Sequence, residues 1–340
     1  MKYIDLHCDT ISMLADYPEA GDLGKSTLNI DLEKLEKGDC FIQDFAFFVD
    51  MVEDGDPWQR YQQLLGEFRK QKAKYGAKMH QILSAKDVDI ARESGKIGAM
   101  LSIEEGGVLG GSLEKLHQVY EDGVRLITLT WNYPNEIGWP NKMEGPDKGL
   151  TERGWEIVEE MGRLHMIVDT SHLNDTGTKE LLLRAKRPPV ASHSDARAVT
   201  EHSRNLPDEL LALYGEKGGL IGINFSNHFL GSPWVENYKY DLSDPYARKF
   251  AEKAKEIGGK AQESRIEDMV RHGLYMVDKA GEDTICLGTD FDGIEPALEI
   301  KDASYMPLLA DAFLKAGLTE AQVEKIFYKN AERYLKEILG

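Results

Sequence analysis

Residues 97–107 read Ile-Gly-Ala-Met-Leu-Ser-Ile-Glu-Glu-Gly-Gly, a nearly continuous apolar run that ends in two acidic side chains and two glycines. A strand covered by helices on both faces is apolar at successive positions, whereas a half-exposed strand alternates apolar with polar residues. The run therefore predicts a buried strand of a parallel sheet over residues 97–103, with acidic groups at its carboxyl end.

Similar short runs, rich in Val, Ile and Leu, recur along the whole chain and bring the number of predicted strands to eight. A longer segment with helical spacing follows each of them after a loop. The predicted strands cover residues 3–6, 41–49, 97–103, 125–129, 166–168, 190–191, 220–225 and 284–287.

Two of the intervening segments show clear helix signals. Residues 151–164 carry apolar side chains every three residues, which is typical of one buried stripe on a helix; the stripe comprises Trp155, Val158, Met161 and Leu164. The last segment begins with a capping box at Thr319 and Gln322. Its predicted apolar face comprises Val323, Ile326, Phe327, Tyr334 and Ile338.

Eight alternating strand and helix units favour a closed (β/α)8 barrel of the TIM type, with an open, doubly wound α/β sheet as the alternative. No Gly/Ser/Pro-rich linker or change of composition divides the chain, so residues 1–340 are predicted to form one catalytic domain. Two long segments, about 134–149 and 231–259, exceed what the connections of a barrel need. Loops of such length are usually functional, and both are expected to form walls or lids of a site.

The composition is that of a globular protein with a large core, since 41% of the residues are hydrophobic and 29% are charged. With 59 acidic and 41 basic side chains the formal net charge is −18, which repels nucleic acids and anionic lipid surfaces. Three scattered cysteines do not make a disulfide framework, and neither a signal peptide nor an apolar stretch of about 18 residues is evident. A cytoplasmic protein without nucleic-acid or membrane partners is expected.

Polar and acidic side chains follow six of the eight predicted strands. The carboxyl ends of barrel strands meet at one rim, where such barrels build their active sites. His7 and Asp9 are two residues apart on the first strand, so both point into the barrel mouth while Cys8 points away. The candidate metal ligands at this rim are His7, Asp9, Glu104, His172, His193 and Asp290.

Imidazole and carboxylate ligands without clustered thiols favour a first-row divalent ion, with zinc first and manganese or cobalt as alternatives. Three histidines and three carboxylates are more than one tetrahedral ion takes, so the pattern predicts two ions that share a bridging carboxylate. The other histidines lie away from the strand ends, and surface or packing roles are expected for them. They are His80, His117, His165, His202, His228 and His272.

These features resemble the membrane (renal) dipeptidase family of zinc peptidases, which is similar in turn to the wider metal-dependent amidohydrolases. The resemblance extends over nearly the whole chain and rests on an ordered set of motifs. The motifs are His7-x-Asp9, Ile103-Glu104 with Leu116, Tyr120, Gly123 and Arg125 at the family's spacing, Asp169 to His172, Ser192-His193-Ser194, Arg204-Asn205, and Gly288 to Gly293.

The resemblance implies two zinc ions bound by side chains of the rim. His7 and Asp9 would bind one ion, and His172 and His193 would bind the other. Glu104 would bridge the two ions and so belong to the catalytic centre. Glu104 is preferred to its neighbour Glu105 because an ungapped count back from the motif that follows it puts Glu104 at the family's acidic position.

The resemblance also implies the residues that act on the substrate. Asp290 would be the general base or proton shuttle, and Arg204 would bind the terminal carboxylate. The chain departs from the family after the fourth strand, where a substrate-contacting histidine is expected and Trp131 and Asn132 stand instead. Asn132 would donate a similar hydrogen bond, whereas Trp131 would narrow the substrate pocket.

The sequence therefore predicts a zinc dipeptidase that hydrolyses dipeptides with a free C-terminal carboxylate, C-terminal D-residues included. One alternative is an amidohydrolase or lactonase that acts on a small non-peptide substrate, which the departure at Trp131 permits. Another is a non-catalytic metal-binding protein that acts as a sensor. The sequence leaves open whether the chain forms a homodimer.

Overall fold

The protein structure, a computed structural model, describes residues 1–141 and 148–340. Within these residues, eight parallel strands close into a barrel, because the second strand pairs with both the first and the third, and the eighth pairs with the first and the seventh. In chain order they are Tyr3–Asp5, Cys40–Phe48, Ile97–Glu104, Leu126–Thr128, Ile167–Asp169, Val190–Ala191, Leu220–Ile223 and Ile285–Leu287. The predicted (β/α)8 barrel is confirmed, and the open sheet is wrong.

All eight barrel strands lie where the apolar runs predict them, with ends that shift by at most two residues. Their carboxyl ends share one rim of the barrel, which is the property that the candidate site depends on. Further strands lie outside the barrel: Met79–Gln81 beside the third strand, and two small antiparallel pairs, Gly21–Asp22 with Lys25–Ser26 and Trp234–Val235 with Ala261–Gln262.

Helices connect and cover the strands. The predicted helix at 151–164 is Glu152–Arg163, with the Thr151 hydroxyl accepting a hydrogen bond from the Gly154 amide, and the capping box of Thr319 and Gln322 is formed. The α-helices are Thr10–Asp16, Leu32–Lys37, Pro57–Tyr75, Ala85–Ser94, Leu113–Glu121, Glu152–Arg163, Asp175–Arg184, Asp208–Lys217, Asn227–Leu230, Pro245–Glu256, Ile266–Ala280, Met306–Lys315, Glu320–Glu324 and Asn330–Leu339, the last two joined by a π-helical turn, Lys325–Lys329. Within residues 1–141 and 148–340, no helix combines the length and the apolar character that crossing a bilayer needs.

The amino-terminal end of the barrel is apolar and closed. Every strand contributes one buried side chain to an apolar layer there: Ile4, Ile42, Met100, Leu126, Ile167, Val190, Leu220 and Cys286. The last helix, Asn330–Leu339, covers this layer with Tyr334, Leu335 and Ile338. The Tyr334 hydroxyl donates to the Pro188 carbonyl (2.6 Å), just before the sixth strand begins. The helix therefore seals the barrel at the end opposite to the polar rim.

One of the two long segments contains a helix. Residues 231–259 contain the helix Pro245–Glu256, which begins where the Asp244 side chain accepts from the Tyr246 amide. Of residues 134–149, the part at 142–147 lies outside the described residues. The preceding part packs on the rim, because the Asn141 amide donates to the His172 carbonyl (2.8 Å). One domain over residues 1–340 stays a prediction.

Candidate active site

A cavity of about 800 Å³ opens at the carboxyl ends of the barrel strands. Seven side chains that the sequence singles out line it: Asp9, Glu104, Trp131, Asn132, His172, Arg204 and Asp290. His7 and His193 complete the predicted set and are fully buried beneath the cavity floor. Residues from six different strands therefore meet at one place, as the strand order of a barrel requires.

Glu104 lies at the centre of this cluster. One of its oxygens, Oε1, is 3.0 Å from His172 Nε2 and 3.5 Å from His193 Nε2, while Oε2 is 3.4 Å from His7 Nε2. Burial raises the pKa of Glu104, but the three imidazoles outweigh it and hold that pKa well below its usual range. Glu104 is therefore an anion that faces all three histidines.

The imidazoles of His172 and His193 face each other across 3.1 Å between their Nε2 atoms. Burial and the charge of Arg204 lower the pKa of His172 to about 4. Burial and the nearby His7 hold the pKa of His193 well below its usual range. Both rings are neutral near pH 7, which is the form of histidine that binds a metal ion.

The orientation of His193 is set by a buried chain of hydrogen bonds. The Ser192 hydroxyl donates to Asp169 Oδ2 (2.7 Å) and is 2.8 Å from His193 Nδ1. Because the hydroxyl has one proton and gives it to Asp169, it accepts from Nδ1–H, which leaves a lone pair on Nε2. Supporting carboxylates commonly fix metal-binding histidines in this way. Asp169 is thus a positioning residue to which the sequence assigned no separate role.

Two groups of side chains have the spacing that a metal ion needs. The ligand atoms of His7, Glu104 and His193 all lie within 4.8 Å of one another, and so do those of His7, Asp9 and Asp290. His7 Nε2 is 3.6 Å from Asp9 Oδ2 and 3.8 Å from Asp290 Oδ1. Burial, with repulsion from the Glu104 carboxylate, raises the pKa of Asp9 to about 6. The cluster therefore concentrates negative charge at the barrel mouth.

Asp290 stands at the edge of the cluster, where it also lines the cavity. Asn224 Nδ2 donates to its Oδ2 (2.8 Å), which fixes one oxygen and leaves Oδ1 toward His7. Burial, with a further contribution from Asp9 and Glu104, raises the pKa of Asp290 to about 7. A carboxyl group with such a pKa both accepts and releases a proton near neutral pH.

Arg204 lies in the cavity wall with only 4% of its surface exposed. Its guanidinium donates to two backbone carbonyls, those of Ser171 and His193, and its Nε has no hydrogen-bond partner. Among the described residues no carboxylate lies within 4.0 Å of it, including Asp195 at the end of the sixth strand. A buried guanidinium without a counter-ion is a ready partner for the carboxylate of a ligand.

The structure separates the neighbours Glu104 and Glu105. Glu105 turns away from the histidines, accepting from the amides of Gly107 (2.6 Å) and Trp131 (3.0 Å). It thereby holds the loop that presents Trp131 and Asn132 to the cavity. The Trp131 ring lies 6.2 Å from the His172 ring and 4.8 Å from that of Phe48.

Other side chains of the cavity were not singled out from the sequence. His202 and His228, for which surface or packing roles were expected, also line the cavity, and His202 packs against Phe229. Tyr246, Phe250 and two lysines of the same helix, Pro245–Glu256, form another part of the wall. His202 lies in a loop, His228 in the short helix Asn227–Leu230 and the others on the helix Pro245–Glu256, and no sequence motif marks these side chains.

Comparison with known proteins agrees with this geometry. The chain matches the membrane dipeptidase family (peptidase family M19) over residues 1–339. It belongs to this family. An uncharacterized dipeptidase of Schizosaccharomyces pombe is 29% identical to this family member over 327 residues, which are 92% of this chain and 72% of the relative.

Solved structures of family M19 have the same fold. A dipeptidase, described as a metallopeptidase of family M19, matches with a TM-score of 0.85 and 26% identity, covering 100% of this chain and 99% of that one. A metallopeptidase of Rhodobacter sphaeroides, liganded with a phosphinate mimic of the dipeptide L-Ala-D-Ala, matches with a TM-score of 0.84, 25% identity and the same coverage. This M19 protein is therefore a metal-dependent dipeptidase, as the sequence predicts, and its substrates are small peptides. The match favours this activity over the lactonase and sensor alternatives.

Proposed function

We propose that this dipeptidase binds two divalent ions, with zinc as the preferred metal, and cleaves dipeptides that carry a free C-terminal carboxylate. One observation carries the proposal. The neutral imidazoles of His172 and His193 and the carboxylates around Glu104 lie beside the cavity wall that contains Arg204, a buried cation that has no carboxylate partner among the described residues. The cavity therefore offers ligands for cations and a partner for an anion side by side.

The donor set fits two ions. His7 is fully buried and neither of its ring nitrogens has a hydrogen-bond partner, and Asp9 Oδ1 also lacks one. Buried polar atoms are rarely left unpaired, so these atoms suit a coordinated ion. His7 and Asp9 would hold one ion, His172 and His193 would hold the other, and Glu104, which offers one oxygen to each side, would bridge them. Imidazole and carboxylate donors suit zinc, and also manganese or cobalt.

A pair of divalent ions bound there supplies Lewis-acid catalysis and brings the pKa of a water molecule near neutrality. Asp290 accepts the proton that this water loses as it attacks the peptide carbonyl, and passes it to the nitrogen of the departing amine. Asn224 keeps Asp290 in place through the bond to Oδ2 (2.8 Å), so Oδ1 is the oxygen that carries the proton. No covalent bond to the protein forms.

Arg204 limits the length of the substrate. Its guanidinium pairs with the carboxylate of the second residue, which fixes the scissile bond one residue away, over the cluster of Glu104. A longer peptide places no charge at this position, and an amidated dipeptide has none to offer. Trp131 and Asn132 form the wall that the substrate side chains contact, with Asn132 donating a hydrogen bond to the substrate and Trp131 narrowing the space.

C-terminal D-residues are part of the proposed substrate range. The Rhodobacter sphaeroides relative, with 25% identity, is liganded with a mimic of L-Ala-D-Ala. The cavity of about 800 Å³ is also large relative to a dipeptide, so inversion at the second residue leaves the carboxylate within reach of Arg204.

A substrate panel tests the proposal. The zinc-loaded enzyme should hydrolyse L,L and L,D dipeptides, and it should act poorly on the matching dipeptide amides and tripeptides. Each amide is the matched control for its acid, because the two differ only in the terminal charge. Equal rates for acids and amides would contradict the role of the free carboxylate. Hydrolysis of lactones alone would contradict the proposal that dipeptides are the substrates.

A further inference from the structure

A second cavity, of about 530 Å³, lies on the flank of the barrel near its amino-terminal end. One wall is the helix Glu152–Arg163, and the opposite wall is the segment 184–188 that leads into the sixth strand. Its floor consists of Met166, Val168, Tyr334 and Ile338. Val168 belongs to the fifth barrel strand, so the gap between the two walls reaches the barrel itself. None of these residues lines the catalytic cavity.

The helix wall owes its open space to a glycine. Trp155, Val158, Glu159 and Gly162 recur at helical spacing and form the face turned to the cavity. Glycine costs about 1 kcal/mol in a helix relative to alanine, so a helical glycine usually has a packing reason. Gly154 has one, since a Cβ there would lie 2.2 Å from the Ile137 carbonyl oxygen. Gly162 has none, because a Cβ added there meets no atom within 4 Å.

Basic side chains surround the opening. Arg184, Lys186 and Arg187 line the cavity together with Arg163, which is ion-paired with Glu159 and Glu160. This local excess of positive charge occurs in a chain whose formal net charge is −18. Arg184 lies with its guanidinium 4.0 Å from the centre of the Trp155 ring, and no carboxylate within the described part of the chain lies within 4.0 Å of it.

We propose that this cavity is a second binding site, which takes a small, flat, apolar molecule that carries one negative charge, such as an aromatic carboxylate or sulfonate. The apolar floor and the ring of Trp155 match the flat body, and the cations at the rim match the charge. The volume of about 530 Å³ falls in the range of small-molecule sites. The site is separate from catalysis and does not depend on the proposed function.

The fluorescent anion anilinonaphthalene sulfonate is a direct probe, and phenylnaphthylamine is its uncharged counterpart. Gly162→Phe should fill the cavity and abolish saturable binding of the anion. Gly66 provides the matched control, because it lies in the helix Pro57–Tyr75, outside the cavity, and a Cβ there also meets no atom within 4 Å. Gly66→Phe and Gly162→Ala should both bind the probe as the wild-type enzyme does.

Arg184→Gln separates charge recognition from apolar burial. Loss of one charge-assisted contact should weaken binding of the sulfonate about tenfold and leave the uncharged probe unchanged. Arg204→Met should not change binding, which distinguishes this cavity from the catalytic one. Circular dichroism and dipeptide hydrolysis verify that each variant at Gly66, Gly162 and Arg184 is folded. Equal binding by the wild type and Gly162→Phe, or by the wild type and Arg184→Gln, would overturn the proposal.

Discussion

The two ends of the barrel are built from opposite kinds of side chain. At the amino-terminal end, one apolar residue from each strand packs under the helix Asn330–Leu339, and no charge is buried in this layer. At the carboxyl end, Asp9, Glu104 and Asp290 are buried close together with the histidines. The first arrangement stabilises the fold by burial of apolar surface, whereas the second works against it.

The pKa values of two carboxyl groups at the carboxyl end reflect the cost of burying them. Burial and neighbouring carboxylates raise the pKa of Asp9 to about 6 and that of Asp290 to about 7, so in the protein alone these groups resist ionisation. Metal ions bound among these carboxylates would reverse that penalty. We therefore expect substitutions at the carboxyl end to change chemistry and metal binding, and substitutions at the amino-terminal end to change stability alone.

The largest effect is expected at Asp290. Asp290→Asn retains the shape and the bond from Asn224 but removes the proposed proton acceptor, so kcat should fall by about 10²- to 10⁴-fold with the metal content unchanged. Steady-state kinetics and elemental analysis test this. Full activity would exclude Asp290 from proton transfer, and loss of an ion would make it a ligand first. Asp292→Asn is the control, since Thr10 and the Asn29 amide already hold that carboxylate.

Arg204→Met should weaken transition-state binding of free dipeptides by about 2–5 kcal/mol, the cost of breaking a buried charge pair. The quantity to measure is kcat/KM for each dipeptide and for its amide. Amides should already be poor substrates and should lose little more. The same loss for acids and amides would mean that the substitution damages the site as a whole and that Arg204 does not read the carboxylate.

At the other end of the barrel, Leu335→Ala should lower the free energy of unfolding by about 2–5 kcal/mol, because Leu335 is fully buried and its truncation leaves a cavity. Below the melting temperature kcat should equal that of the wild type. Denaturant unfolding of the metal-loaded protein, followed by assays at low temperature, gives both quantities. A fall in kcat of the folded variant would break the separation between the two ends.

The smallest effect is expected at the capping box. Thr319→Ala removes the hydroxyl that accepts from the Gln322 amide (3.3 Å) at the start of the helix Glu320–Glu324. The expected loss of unfolding free energy is about 1 kcal/mol, with no change in kcat. Chemical denaturation measures this loss. An unchanged midpoint would show that the cap does not contribute to the stability of the helix Asn330–Leu339, which covers the end of the barrel.

The sequence predicted the barrel well because the apolar runs that mark its strands, and the polar residues that follow them, can be recognised in short stretches of sequence. Apolar runs mark the eight strands, and a barrel brings whatever follows them to one rim, so His7, Glu104, His172 and His193 could be placed together without knowledge of any contact. The choice of Glu104 over its neighbour Glu105, whose side chain holds the loop of Trp131, rested on the family's spacing, whereas the three histidines needed no such guide. Local pattern and topology together sufficed for these residues.

The side chains that complete the cavity wall could not be predicted in this way. The length of segment 231–259 suggests a wall of the site, but not that Tyr246 and Phe250 of the helix Pro245–Glu256 face the cavity. His202 reaches the cavity from a loop and His228 from the short helix Asn227–Leu230, and no sequence pattern marks either side chain as facing a site. The hydrogen bonds that connect Asp169, Ser192 and His193 could not be predicted either, because nothing in the sequence distinguishes Asp169 and Ser192 from other buried polar residues. Tertiary packing alone decides such contacts.

Metal content tests the central claim most directly. Elemental analysis of protein purified in zinc-containing, chelator-free buffer should give about two ions per chain, since the donor set exceeds what one ion takes. His172→Ala should retain about one ion, whereas Leu335→Ala, at the opposite end of the barrel, should retain both. A wild-type chain that saturates at one ion, or a His172→Ala variant that holds as many ions as the wild type, would contradict a two-metal site around Glu104.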